Sequence, residues 1–187
     1  MVSIPSLWLP ILGSAMLVFV ASSIIHMLLP YHHHDFGKVP SEDDVMEALR
    51  RFSIPPGDYV IPCAGSPKEM SNPAFIGKAT NGPVAFVTVM PSGPPSMGAS
   101  LVQWFVFCLT VGMLAAYVSG RALAPGANYV AVFRFAGTTA FIAYAMALWS
   151  DSIWYKRAWS TTAKNTLDGL VYALLTAGLV GWLWPAA

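Results

Sequence analysis

Charge is what this 187-residue chain has least of. Only 10% of its residues are Asp, Glu, Lys or Arg, against about 25% in an ordinary soluble domain. With 56% hydrophobic residues, a soluble fold of this size would expose a broad apolar surface, a difficulty that a bilayer removes. The formal net charge is +1 and no run of Lys or Arg occurs, so the chain lacks the basic field that nucleic-acid binding requires. Cysteine is scarce as well. Cys63 and Cys108 are the only two, too few for a disulfide framework or a cysteine zinc site, and they read as unpaired thiols. There is no H-E-x-x-H, no glycine-rich phosphate loop and no serine or cysteine in a nucleophile elbow, and the chain therefore reads as a non-enzyme.

What is present is apolar sequence in long runs. Four stretches stand out, at residues 7–29, 99–123, 129–149 and 167–184. Each is near the roughly 20 residues that a hydrocarbon core about 30 Å thick demands. With no water to serve backbone groups inside a bilayer, each must be a helix. The first reads as a retained helix rather than a cleaved leader: no Lys or Arg precedes it, its apolar run is long, and no A-x-A-like site follows before Pro30. The expected fold is thus an all-α integral membrane protein, a four-helix transmembrane bundle with a small extramembrane α/β cap between helices one and two. Its parts are residues 1–30, a cap and Pro-rich linker at 31–98, and helices two to four at 99–187.

The cap is different material. It holds seven of the nine acidic residues (Asp35, Glu42, Asp43, Asp44, Glu47, Asp58 and Glu69) and, if Pro30 at its edge is counted, eleven of the fifteen prolines. Ser41 followed by Glu42, Asp43 and Asp44 predicts a helix N-terminus capped by Ser41. Val45, Met46, Leu49 and Phe52 then recur at helical spacing until Pro55-Pro56-Gly57. Two short strands are expected at 59–61 and 84–89, with one short helix between them within 67–79. A two-stranded sheet is marginal alone, so the cap should lie against the membrane helices or a partner.

Direction follows from the basic residues. Lys38, Arg50, Arg51, Lys68, Lys78, Lys156, Arg157 and Lys164 fall in the first and third loops; only Arg121 and Arg134 fall on the other side. The positive-inside rule then puts the cap in the cytoplasm and both termini outside an inner membrane. Loop three is expected at 150–164, along the membrane surface. The tryptophans form two belts, Trp8, Trp182 and Trp184 at one face and Trp104, Trp149, Trp154 and Trp159 at the other. With Arg134, Lys156 and Arg157 they are the candidate headgroup anchors.

Small residues recur at every fourth position: Gly112, Ala116 and Gly120 on helix two, and Gly169, Ala173, Ala177 and Gly181 on helix four. Such stripes let backbones approach closely, either within the bundle or against another subunit. The chemistry-bearing residues are few. His26 lies near the end of helix one, and Tyr31-His32-His33-His34-Asp35 follows. Imidazoles and a carboxylate in one short segment suit zinc or copper, with His26, His32 and His34 as the candidate ligands. Adjacent histidines point in different directions and do not make a site by themselves. Helices two, three and four contain no histidine, which argues against bis-histidine haem, and His26 alone does not argue for a quinone site. Lys164 and Asp168 are spaced to pair on one helix face, near a helix end. No charge sits at a midplane, so no ion path is expected.

Two roles fit. One is a non-catalytic accessory or scaffold subunit of a larger inner-membrane complex of the respiratory or photosynthetic type, its partners being the lipid bilayer and other membrane subunits or a second copy. The other is a metal- or cofactor-binding membrane protein using the histidine cluster at the cytoplasmic interface, the cofactor unknown.

Overall fold

The computed structural model describes residues 1–94 and 96–187. It is mostly helical, with one small antiparallel sheet, and divides into a helical unit (1–36 and 96–187) and a cap unit (37–95).

In the helical unit a short 3-10 turn, Ile4–Leu7, leads into α1 (Trp8–Leu28). Pro10 lies in its first turn, where the missing N–H costs nothing. A second 3-10 turn, Pro30–His32, follows α1. In the cap unit come α2 (Glu42–Arg50), β1 (Gly57–Ile61), α3 (Pro67–Met70), α4 (Pro73–Asn81) and β2 (Ala85–Val89). Back in the helical unit are α5 (Gly98–Ala122), α6 (Tyr129–Ala145), a 3-10 turn at Met146–Leu148, α7 (Trp149–Trp154) and α8 (Trp159–Trp182).

Among the described residues, three helical segments are long and apolar enough to cross a membrane: Ile4–Leu28, Gly98–Ala122 and Tyr129–Trp154. They point to a multi-pass membrane protein. Their outward faces are large and apolar, with Leu9, Met16, Val20, Ile24, Val102, Val106, Met113 and Ile142 exposed. Their inward faces are small or polar, including Ser14, Ala15, Ser22, Ala115, Ser119, Ala136 and Ala140.

The fourth long helix departs from the sequence reading. It begins at Trp159 rather than 167, so residues expected in a surface loop at 150–164 are helical apart from 155–158. Lys164 and Asp168 stay helical because partners from another part of the chain meet their charges. α8 is diluted by polar residues and is not among the three apolar spans. It is also well enclosed, packing along α6 and against α1. Thr161, Thr162, Asp168, Tyr172, Ala173, Thr176, Ala177 and Val180 are all buried. One face of α8 meets protein and needs fewer apolar side chains, while Leu167, Leu170, Leu174 and Trp182 remain exposed on the other.

The small residues lie in these seams. A Cβ on Gly112 would come within 3.0 Å of Ser14 Oγ and 3.2 Å of the Ile11 carbonyl oxygen, so α1 and α5 meet backbone to backbone there. A Cβ on Gly169 would fall 2.9 Å from Ala145 Cβ on α6. Gly120 lies against the Val2 backbone, which donates its N–H to the Gly120 carbonyl oxygen, and Gly181 against the Tyr129 ring. Ala116, Ala173 and Ala177 are buried. These seven residues thus sit inside the chain's own bundle.

In the cap unit β1 and β2 pair antiparallel, Gly57 opposite Val89 and Ile61 opposite Ala85. The single helix expected within 67–79 is two. Asn72 precedes Pro73, which disfavours helical backbone at residue 72; Asn72 instead caps α4, its Oδ1 accepting from the Ala74 N–H at 2.9 Å. Ser66 caps α3, accepting from the Glu69 N–H. Ser41 does not cap α2. Its backbone is left-handed (φ 48°, ψ 50°) and its hydroxyl makes no capping bond, leaving Glu42, Asp43 and Asp44 to face the helix dipole. No described residue from 37 to 94 is fully buried.

Candidate metal centre

The 3-10 turn after α1 folds the chain back on itself. His32, six residues beyond His26, returns to it, and the two rings lie with centroids 4.5 Å apart. Against them comes Asp168 of α8, nine residues into the helix, or about 14 Å at 1.5 Å per residue. The expectation of a residue near a helix end is therefore corrected: Asp168 lies well inside, with its side chain 4% exposed. It does not pair with Lys164. Lys164 reaches the turn instead, donating to Asp35 Oδ1 at 2.7 Å and to the Tyr31 carbonyl oxygen at 2.6 Å.

His32 is the hub. Its Nδ1 lies 2.6 Å from Asp35 Oδ2 and its Nε2 lies 2.8 Å from Asp168 Oδ2. The Tyr31 hydroxyl donates to Asp168 Oδ1. His26 Nε2 lies 3.9 Å from Asp168 Oδ2 and 3.4 Å from the Tyr172 hydroxyl. Two carboxylates thus face Lys164 and the His32 ring. No buried side-chain nitrogen or oxygen among the described residues lacks a partner. The bonds from His32 and then from Lys164 hold the Asp35 carboxyl below the usual carboxylate range. Burial, and then donation to Asp168, push the Tyr31 phenol well above its ordinary value.

One donor atom each from His26, His32 and Asp168 lies within 4.8 Å of the others. Tetrahedral zinc with bonds of about 2.0–2.1 Å separates its ligand atoms by about 3.3 Å, so small side-chain shifts would seat an ion among these three. What holds the ligands also suits a metal. A ligating histidine usually donates its other N–H to a carboxylate, as His32 does to Asp35, and a ligating carboxylate is usually hydrogen-bonded in turn, as Asp168 is by Tyr31.

Of the three ligands expected from sequence, the structure brings together His26 and His32. His34 is exposed and stands outside the donor set. Asp168 takes the third place, and Asp35, Tyr31, Lys164 and Tyr172 surround it. Asp168 is the only acid in the fourth apolar stretch, and an ionisable residue in such a setting is itself the signal.

The headgroup candidates divide. Trp8, Trp149, Trp154, Trp159, Trp182, Arg134 and Lys156 are exposed. Trp104 is half-buried, donates from Nε1 to Ser22 Oγ at 2.8 Å, and lies among the rings of Phe107, Tyr144 and Tyr172. Trp184 donates to the Ala124 carbonyl oxygen, and Arg157 lies over the Phe36 ring.

Comparison of the chain with protein-family models, with curated proteins and with solved structures finds no match. The chemistry of the site carries the functional reading alone.

Proposed function

We propose that the chain is a metal-binding protein of the inner membrane, holding one divalent transition-metal ion through His26, His32 and Asp168. The carrying observation is the convergence of these three donors from α1, the following turn and α8, with Asp35 oriented behind His32 and Tyr31 behind Asp168. Two imidazoles and one carboxylate favour zinc or a neighbouring first-row ion, and three protein ligands leave a fourth position open. In this reading α8 is a fourth crossing, the cap is cytoplasmic and both termini are outside. The supporting pattern is the basic third loop against the lone Arg121 and Arg134.

Metal analysis after dialysis against buffered zinc tests the site. About one equivalent is expected, lost in His32→Ala and in Asp168→Ala and kept in His34→Ala. A protein without zinc, or one in which His34→Ala matters as much as His32→Ala, would sink the reading. Cys63 is exposed and Cys108 buried, so a membrane-impermeant thiol reagent tests orientation. Labelling only after cell lysis is expected; labelling of intact cells would reverse the topology.

A second reading, an accessory subunit of a larger membrane complex, is favoured by one feature of the cap. Met46 and Leu49 of α2, with Ile54, Tyr59, Val60 and Val87, line an apolar cleft of about 610 Å³, a surface that another subunit would cover. Purification in mild detergent as a lone monomer without a co-purifying partner would count against it. The small-residue stripes lend this reading no support, because neighbouring helices of the same chain fill them.

A further inference from the structure

Resting on the metal reading, we propose that Tyr172 is the fourth ligand. Its phenolate oxygen closes the position that His26, His32 and Asp168 leave open, so the ion sits in a shell made wholly of protein, with no place for a metal-bound water. One distance carries this: the Tyr172 hydroxyl lies 3.4 Å from His26 Nε2.

Asp168 and Tyr172 stand one turn apart on α8, four residues from each other, so one face of the helix presents both. Both are buried. From His32 Nε2 to Asp168 Oδ2 is 2.8 Å, from that oxygen to His26 Nε2 is 3.9 Å, and from that nitrogen to the Tyr172 hydroxyl is 3.4 Å. These separations bracket the value of about 3.3 Å that a tetrahedral ion imposes on its ligand atoms. The same 3.4 Å is long for a hydrogen bond, which for such atoms falls near 2.5–3.2 Å. His26 and Tyr172 are therefore spaced as two ligands of one ion rather than as donor and acceptor. The widest gap involves His26, whose side chain is 47% exposed and is the least enclosed of the four.

Packing holds the phenol in place. The Tyr172 ring centroid lies 6.0 Å from that of Trp104 and 5.5 Å from that of Tyr144, both edge-on, and Trp104 is itself tied to Ser22 Oγ. A ligand fixed by its neighbours is pre-organised for an ion. Tyr31 is the rival phenol, but its hydroxyl donates to Asp168 Oδ1, the oxygen that His32 does not use. On binding, the O–H bond of Tyr172 breaks, its oxygen bonds the metal, and the proton leaves to solvent. Two imidazole nitrogens, a carboxylate oxygen and a phenolate oxygen make a closed shell. Closed shells belong to sites that hold an ion, whereas hydrolytic sites keep a position for water.

The test loads the full chain in detergent with Cu²⁺, the first-row divalent ion that such donors bind most tightly, and records absorption and resonance Raman spectra. Expected is about one equivalent of copper with a visible phenolate-to-copper charge-transfer band. Excitation in that band should enhance tyrosinate ring modes that shift when the tyrosines are ring-deuterated. Tyr172→Phe should lose the band and the modes and bind copper about 10–100-fold more weakly, at least the loss that follows removal of a group behind a ligand. Tyr31→Phe should keep both signals. Tyr172→His, which returns a neutral nitrogen to the same turn, is the second variant should the first load no copper, and it should bind the ion without tyrosinate modes. One equivalent of copper without tyrosinate modes in the wild type overturns the inference and leaves the metal reading standing. Modes that persist in a Tyr172 variant, or vanish in copper-loaded Tyr31→Phe, overturn it too. A wild-type protein that binds no copper overturns the metal reading itself.

Discussion

The helical unit and the cap solve the same problem with opposite materials. In the bundle the interior mixes alanines, valines and two tyrosines with polar side chains, Ser14, Ser22, Ser119, Thr161, Thr162, Asp168 and Thr176 among them, while many Leu, Met and Trp side chains look outward. In the cap no described residue is fully buried, and Val45, Met46, Leu49 and Phe52 of the α2 segment are exposed. Where lipid surrounds a helix there is little hydrophobic force to bring helices together, so close backbone approach and internal polar bonds take its place. A cap of about 59 residues has too little interior for a full core and relies on local devices: the Ser66 and Asn72 caps, the short ladder, and the Asp58–Thr88 bond at 2.7 Å across the strands. Substitutions in the bundle should therefore be costly, and those in the cap cheap.

The largest effect is expected at Asp168. Asp168→Ala strips partners from Tyr31 and His32 and should cost about 3–5 kcal/mol, as for other broken buried ion pairs. Thermal unfolding of the metal-free protein in detergent measures it, and a loss below about 1 kcal/mol would mean that the cluster is not holding the turn to α8. Next comes a contrast between two glycines. Gly169→Leu drives a side chain into Ala145 and should cost about 1–3 kcal/mol or more. Gly77, in α4 of the cap, has nothing within 4 Å of its would-be Cβ, so Gly77→Ala should stabilise the cap by about 0.4–1 kcal/mol. Protease resistance of the cap reads the second, and equal penalties at both sites would erase the distinction.

The smallest effect is in acid. Because His32 and Lys164 hold the Asp35 carboxyl below its ordinary value, its contribution is complete above the unfolded pKa of about 3.9 and is lost as pH falls through the lowered folded value. In chelator-treated protein, unfolding temperature should drop on that acid limb, and Asp35→Asn should flatten the drop. A profile unchanged by Asp35→Asn would show that the other carboxylates govern the limb.

Much of the architecture was legible. Hydrophobic runs near the bilayer length marked α1, α5 and α6, since a helix apolar on every side has no other solvent. Turn chemistry placed β1 and β2 near where they occur, whereas α2, expected to run through Phe52 to Pro55, ends at Arg50. The start of α8 was hidden, because Ser160, Thr161, Lys164 and Asp168 look like loop until their partners are known. The site was half legible. His26 and His32 could be named from residue type, but Asp168, 136 positions from His32, was assigned to the nearer Lys164 because sequence spacing sees only one helix at a time.

The sequence by itself determined which segments are long and apolar enough to cross a membrane, since composition and run length are local properties. It also determined which few residues could carry chemistry, by leaving so few. Only the tertiary structure decided which of them meet. The fold-back after Leu28, the close seam between α6 and α8, and the exchange of partners that sends Lys164 to Asp35 and Asp168 to His32 all depend on contacts between distant segments. The pairing of a buried charge is settled by whichever partner packing brings within reach.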